Sequence, residues 1–176
     1  GLQCMAHPQA HCDIPVRIVL YIDGGGAESD GVSAWGVVVC FVHYGNHWVF
    51  KGYLTGIVDS SPTSPQYVGL TSATGGAAEL SAQIWSATWT LGLQGALSEV
   101  DIEVRYDAVV ASSISQLNAE SAVHPIGGAF ASTLWQIAGN SRSVTFRHIP
   151  SHTDEAFNDL VDSVCRAGAT IPSIRW

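Results

Sequence analysis

The sequence predicts an α/β fold: a five-stranded mixed sheet, three antiparallel strands followed by two parallel ones, flanked by helices. Three observations carry that expectation. Short β-branched runs follow one another closely in the first part of the chain, as in an antiparallel meander. After Gly76 the apolar period changes from two to that of a helix. Beyond that point strands alternate with helices, which implies parallel strands joined by crossovers.

The elements are expected as follows. Residues 1–15 form a flexible polar leader that ends at Pro15. Arg17 to Ile22 is short and β-branched, a strand buried on both faces. Ser33 to His43 is a second strand, and Trp48 to Leu54 a third, with Gly45-Asn46 in the hairpin turn. The stretch 55–76, rich in Pro and Ser, is a long loop. Ala77 to Leu91 is a helix whose Leu80, Ile84, Ala87 and Leu91 share one face. Val100 to Tyr106 is the fourth strand and Ala108 to Leu117 a short helix. Gly127 to Ala138 is a helix, Ser143 to Ile149 the fifth strand, and Asp154 to Ala167 the last helix. Phe157, Leu160, Val161, Val164 and Cys165 form the apolar stripe of that helix. One domain spans 16–170, and 171–176 is a C-terminal tail.

Composition narrows the function classes. With 47% hydrophobic and 12% charged residues, wholesale disorder is excluded. The longest apolar run, Ala34 to Val42, is too short to span a membrane. No signal peptide is visible, so an intracellular, cytoplasmic or nuclear, protein is expected. A chain opening on Gly1 rather than Met is expected to be an excised piece of a longer polypeptide or to carry a cleavage scar. The net charge of −8, with Lys51 the single lysine, argues against a generic nucleic-acid binder with a basic face. Cys40 and Cys165 fall on apolar faces and are expected in the core. Cys4, His7, His11 and Cys12 carry zinc-type ligands, but their spacing matches no established zinc pattern, and the segment is expected to be flexible.

Four acids stand out by placement. Asp23 ends the first strand and is followed by Gly24-Gly25-Gly26; Glu79 opens the long helix after Gly75-Gly76. Asp107 ends the fourth strand, and Asp162 lies on the last helix. A carboxylate at a strand end loses hydration unless a cation meets it, and a divalent metal is the usual partner. Singly, each has an ordinary explanation: Asp before Gly suits a turn, and Glu early in a helix suits its dipole. Their concurrence points to a two-metal phosphodiester site. Asn158 and Asp162, four apart on one helix, point the same way, and His152 sits in the loop before them.

These segments resemble ribonuclease H of type I, closest to the domains fused to reverse transcriptases in retroelement polyproteins. The matching stretches are Tyr-Ile-Asp23-Gly-Gly, Ala-Ala-Glu79-Leu-Ser-Ala and Arg-Tyr-Asp107-Ala. The last and most specific runs from His148-Ile-Pro-Ser-His152 to Asn158 and Asp162. The resemblance covers about residues 17 to 168 and implies a ribonuclease H-like fold. It also implies hydrolysis of the RNA strand of RNA–DNA hybrids with two Mg²⁺ ions, which Mn²⁺ can replace, giving 5′-phosphate and 3′-hydroxyl ends. By that resemblance Asp23 bridges both metals, Glu79 and Asp107 complete one site, Asp162 completes the other, and His152 assists product release. A neighbouring reverse transcriptase domain is the implied partner, with no membrane.

Departures matter for substrate contacts. Thr74-Gly75-Gly76 stands where the family commonly has Asn-rich sequence, leaving backbone N–H groups of Gly75 and Gly76, and of Gly24 and Gly25, to approach RNA sugars. The basic protrusion of some cellular members has no counterpart, since 118–130 lacks Lys and Arg. Arg105, Arg142 and Arg147 are the candidate phosphate contacts, with Asn158 as a further candidate substrate contact. Two alternatives share the fold: a DNA-directed nuclease such as an integrase, resolvase or exonuclease, and a non-catalytic nucleic-acid-binding domain. The first is disfavoured by the His152–Asn158–Asp162 terminus, the second by retention of all four acids.

Overall fold

Strand β1 (Arg17–Gly26) is the centre of the sheet, because Val, Ile and Leu side chains on both of its faces meet apolar layers. The computed structural model describes residues 14–26, 32–116, 121–150 and 155–168. Strands β2 (Ser33–His43) and β3 (His47–Ile57) extend β1 on one side as an antiparallel meander. Gly45 and Asn46 both take positive φ in the connecting turn, the backbone state a tight hairpin demands. On the other side β4 (Asp101–Tyr106) and β5 (Val144–His148) lie parallel to β1, so the sheet order is β3-β2-β1-β4-β5. The predicted arrangement of three antiparallel and two parallel strands is the one observed.

Helices cover both faces. α1 (Gly75–Leu91) and α3 (Pro125–Gly139) pack on one face, where Ala82, Ala87 and Trp135 meet Ile18, Leu20, Ile22, Ile102 and Val104. Trp35 stacks on Trp85 there, with ring centroids 5.5 Å apart. α2 (Val109–Ser115) lies against α1 and α3 through Ile114. α4 (Ala156–Gly168) covers the other face, with Val161 and Val164 against Val19, Tyr21, Val38, Cys40 and Val42. A short 3₁₀ helix, Gly95–Glu99, links α1 to β4. Leu160 and Leu91, expected in apolar stripes, are only partly covered, at 37% and 39% exposed. No helix among the described residues is long and apolar enough to cross a membrane.

Two boundaries differ from expectation in ways that matter. β1 does not end at Asp23. Its pairing with β4 stops at Tyr21–Arg105, but its pairing with β2 continues through Asp23–Gly36 to Gly26–Ser33. Asp23 therefore projects from a strand held on one side only, beyond the carboxyl end of β4. α1 also begins earlier than expected. Thr74 caps it, its side chain accepting from the Ala77 N–H at 3.3 Å, so Glu79 lies past the first turn.

Gly24 sets the distance between β1 and α1. A Cβ at this residue would lie 2.2 Å from the Glu79 nitrogen and 2.3 Å from the Ala78 carbonyl carbon. The atoms met are helix backbone, which cannot swing aside. Gly25 has no such neighbour within 4 Å. Gly24→Ala is expected to lower stability by about 2 kcal/mol or more, read as a fall in urea midpoint at unchanged slope. Gly25→Ala is expected to stay within about 1 kcal/mol of the parent. Equal losses would contradict this packing.

Candidate active site

The close contact at Gly24 brings two carboxylates from different elements together. Asp23, 9% exposed, accepts a hydrogen bond from the Gly24 N–H at 2.9 Å. Glu79 comes from the adjacent turn of α1, and Asp107 from the residue after β4. One carboxylate oxygen from each of the three lies within 4.8 Å of the others, a spacing at which one cation can touch all of them. Cys165, buried on α4, donates its thiol to the Asp23 carbonyl at 3.1 Å and ties the strand to the helix beneath it. Sequence reasoning placed Cys165 in the core, where it is; the contact with Asp23 was not legible, though Cys165 lies one helical turn beyond Asp162.

Electrostatics show what this cluster lacks. Burial pushes the Glu79 carboxyl well above the usual carboxylate range, and the charges of Asp23 and Asp107 push it further. Asp23 is raised as well, first by burial, then by Asp107, with a smaller push from Asp162. The contact between the two side chains adds to the rise at Glu79 and offsets part of it at Asp23. Cys165 is held as the thiol by burial and by the surrounding acids. Hard divalent cations take oxygen ligands of this kind, and their charge favours the ionised form of each carboxyl. The donor set therefore fits such an ion.

The remaining predicted residues divide by environment. Asp162 stands outside the triad: its side chain is half exposed and forms an ion pair with Arg166, one turn on. Asn158, four residues earlier on α4, is 8% exposed. His152 and the zinc-type cluster of Cys4, His7, His11 and Cys12 lie outside the described residues. Cys40 is a buried free thiol, as expected. Gly75 and Gly76 have open space around them at the start of α1, and Gly25 likewise.

The arginines separate sharply. Arg105, proposed from sequence as a phosphate contact, is only 6% exposed. It donates to Glu103 at 2.6 Å, to the Tyr21 hydroxyl at 2.7 Å and to Glu155 at 3.3 Å. Its guanidinium also sits over the Tyr21 and Trp48 rings. With Nε and Nη1 committed inside the protein and little of its surface exposed, Arg105 is a structural cation under α4 and has little to offer a substrate. The Tyr21 hydroxyl is raised to about 12, chiefly by burial. Arg147 remains largely exposed, 3.9 Å from Glu103. Arg142 is anchored elsewhere, donating to the Leu97 and Val100 carbonyls.

Raised carboxyls make a stability prediction. The folded state holds protons that the unfolded chain releases near pH 4. Stability is therefore lost as pH rises from that range through the raised folded values. In EDTA, Glu79→Gln is expected to melt a few degrees above the parent at neutral pH, with the gap closing toward pH 4. Mg²⁺ or Mn²⁺ should raise the parent's Tm and leave the variant's nearly unchanged. A parent more stable than Glu79→Gln in EDTA at neutral pH would contradict the account of the site.

Comparison with known proteins places the fold. No protein-family model matches the chain, and no characterised sequence does. Solved structures match over most of the chain. RNase H1 from the halophilic archaeon Halobacterium salinarum superposes with a TM-score of 0.60 at 17% identity, covering 86% of this chain and 96% of that one. LC11-RNase H1, isolated from compost, in complex with an RNA/DNA hybrid, gives 0.59 at 18% identity, with 88% and 97% covered. The foamy viral protease–reverse transcriptase in complex with dsDNA gives 0.58 at 16% identity, with 88% and 95% covered. The chain has the ribonuclease H-like fold.

Proposed function

We propose that this chain is a metal-dependent endonuclease that cleaves the RNA strand of RNA–DNA hybrids, acting as the ribonuclease H domain of a retroelement polyprotein. The observation that carries this reading is the convergence of Asp23, Glu79 and Asp107 within 4.8 Å. In a fold shared with hybrid-bound RNase H1, that convergence supplies the chemistry such a reaction needs. The likeness to a viral reverse transcriptase supports the polyprotein context and a neighbouring reverse transcriptase domain as partner.

In this reading Asp23, Glu79 and Asp107 would hold one Mg²⁺, and Asp162 would join Asp23 in holding a second. When bound, such ions acidify an attacking water and stabilise the leaving 3′ oxygen. Asp162 must first exchange its ion pair with Arg166, which its half-exposed position on α4 allows. His152 accepts and releases protons as the product departs. The cleaved strand carries a 5′-phosphate and a 3′-hydroxyl.

Substrate recognition falls on backbone more than on charge. The first amides of a helix have no intrahelical acceptor, and at α1 they belong to Gly75 and Gly76, with no side chain in the way. They can donate to a phosphate or to a 2′-hydroxyl, the group that separates RNA from DNA. Gly25 offers a similar open backbone beside Asp23. Asn158 and Arg147 complete the proposed contacts.

The test uses labelled RNA–DNA hybrid, duplex RNA and duplex DNA, each with Mg²⁺ or EDTA. Cleavage of the RNA strand in the hybrid alone, dependent on Mg²⁺, is expected. Asp107→Asn should reduce it by about a hundredfold or more, since even residues that merely orient metal ligands cost ten- to a hundredfold. Preferential cutting of duplex DNA would move the assignment to a DNA-directed nuclease. Activity in EDTA would overturn it.

A further inference from the structure

With seven lysines and arginines in a chain of net charge −8, the place of each cation matters. Most of the described ones are committed away from the acid cluster. Arg105 is enclosed under α4, Arg142 is tied to the Leu97 and Val100 carbonyls, and Lys51 lies over the Phe41 ring. Arg17 opens β1, at the far end of the strand from Asp23, and Arg147 faces Glu103. Arg166 differs from these. It pairs with Asp162, one turn earlier on α4.

That pair stands at the border of the acid cluster. The charge of Asp162 helps to raise both Asp23 and Cys165, so its carboxylate lies within electrostatic reach of the three acids. Cys165, the residue before Arg166, donates to the Asp23 carbonyl and fixes this turn of α4 against β1. The backbone that carries Arg166 is therefore anchored, whereas its side chain is 73% exposed and that of Asp162 50%. An ion pair this open is weak, because solvent screens the attraction and two side chains lose rotamer freedom. A stronger cation displaces it.

The proposed function brings such a cation, and this inference rests on that reading. A divalent ion on Asp162 and a guanidinium beside it repel each other, so the ion replaces Arg166 rather than joining it. The released guanidinium stays charged, and its fork of donors fits phosphate oxygens. Its anchored backbone keeps it beside the acids, where the proposed function puts the scissile strand. We infer that Arg166 alternates between two partners: Asp162 in the ion-free protein, and a phosphate of the bound strand once an ion holds Asp162. In the first state it tempers repulsion among the four acids. In the second it supplies a substrate contact that the acidic surface otherwise lacks. An acid and a base four apart on a helix are commonplace, so nothing in the sequence set Arg166 apart.

The test compares the parent with Arg166→Gln, Arg166→Lys and Lys51→Gln. Arg166 is exposed, so its loss leaves the core intact, and Lys51→Gln makes the same change of net charge on β3. Mg²⁺ is titrated first, without nucleic acid, following ¹H–¹⁵N signals of α4 around Asp162 and of α1 around Glu79. Arg166→Gln is expected to move the α4 midpoint to about two- to fivefold lower Mg²⁺, the range an exposed pair allows, with a smaller change at α1. Arg166→Lys, which keeps the pair, and Lys51→Gln should follow the parent at α4. Binding of an RNA–DNA hybrid is then measured across salt concentrations in Ca²⁺, also a hard ion with oxygen ligands, with both strands verified intact. Arg166→Gln should flatten the slope of log K against log salt by about one, the loss of one phosphate contact. In EDTA, where Arg166 stays on Asp162, the two slopes should agree. A parent with no Mg²⁺ response at α4, or no hybrid binding, would count against the proposed function itself. If the parent shows both, an Arg166→Gln variant that matches it in α4 midpoint or in salt slope would overturn the alternation. An equal α4 shift in Lys51→Gln would do the same.

Discussion

The approach of α1 to β1 at Gly24 governs the rest of the molecule. Helix backbone at Ala78 and Glu79 occupies the space where any side chain at residue 24 would sit. That contact places Glu79 beside Asp23, and the early end of the β1–β4 pairing leaves room for Asp107 to join them. Three carboxylates then share a partly buried volume, a repulsive arrangement that burial makes worse. Both Asp23 and Glu79 are accordingly held above the usual carboxylate range. Destabilised local electrostatics of this kind are expected where a site is built for a ligand rather than for stability.

Much of this was legible in the sequence because it rests on local pattern. The β-branched runs gave all five strands, and the change of period after Gly76 marked α1 to within two residues. Asp23, Glu79 and Asp107 were found because each adjoins a predicted element end, where apolar periodicity stops, and Asp162 by its spacing from Asn158 on the last helix. What could not be read was tertiary. Nothing local distinguishes Gly24, which meets a helix, from Gly25, which meets nothing. Arg105 has the same local look as Arg147, since each lies on a short strand between an apolar residue and a ring-bearing one. Only pairing with Tyr21 and packing under α4 reveal that Arg105 is enclosed. The extension of β1 through Asp23 depends on a partner strand, and the thiol contact from Cys165 crosses from the last helix to the first strand.

The acidity of the chain also takes a clearer form. With Arg105 held inside and Arg166 paired to Asp162, few cations face outward near the acid cluster. Two divalent ions would raise the net charge from −8 only to about −4. Under the proposed function, electrostatic attraction to a nucleic-acid backbone would therefore be weak, and binding would rest on bound ions and on open backbone at Gly75 and Gly76. Such recognition would differ from that of a protein with a basic face.

The most direct test of the central claim, that the acid cluster is a cation site, is titration of the metal-free protein with Mn²⁺ by calorimetry in buffers of different ionisation enthalpy. The account predicts saturable binding accompanied by proton release, because carboxyls held above their usual range must ionise as the ion enters. Glu79→Gln should abolish the proton release and weaken binding sharply. Absence of Mn²⁺ binding, or binding with no proton release and no effect of Glu79→Gln, would contradict the account.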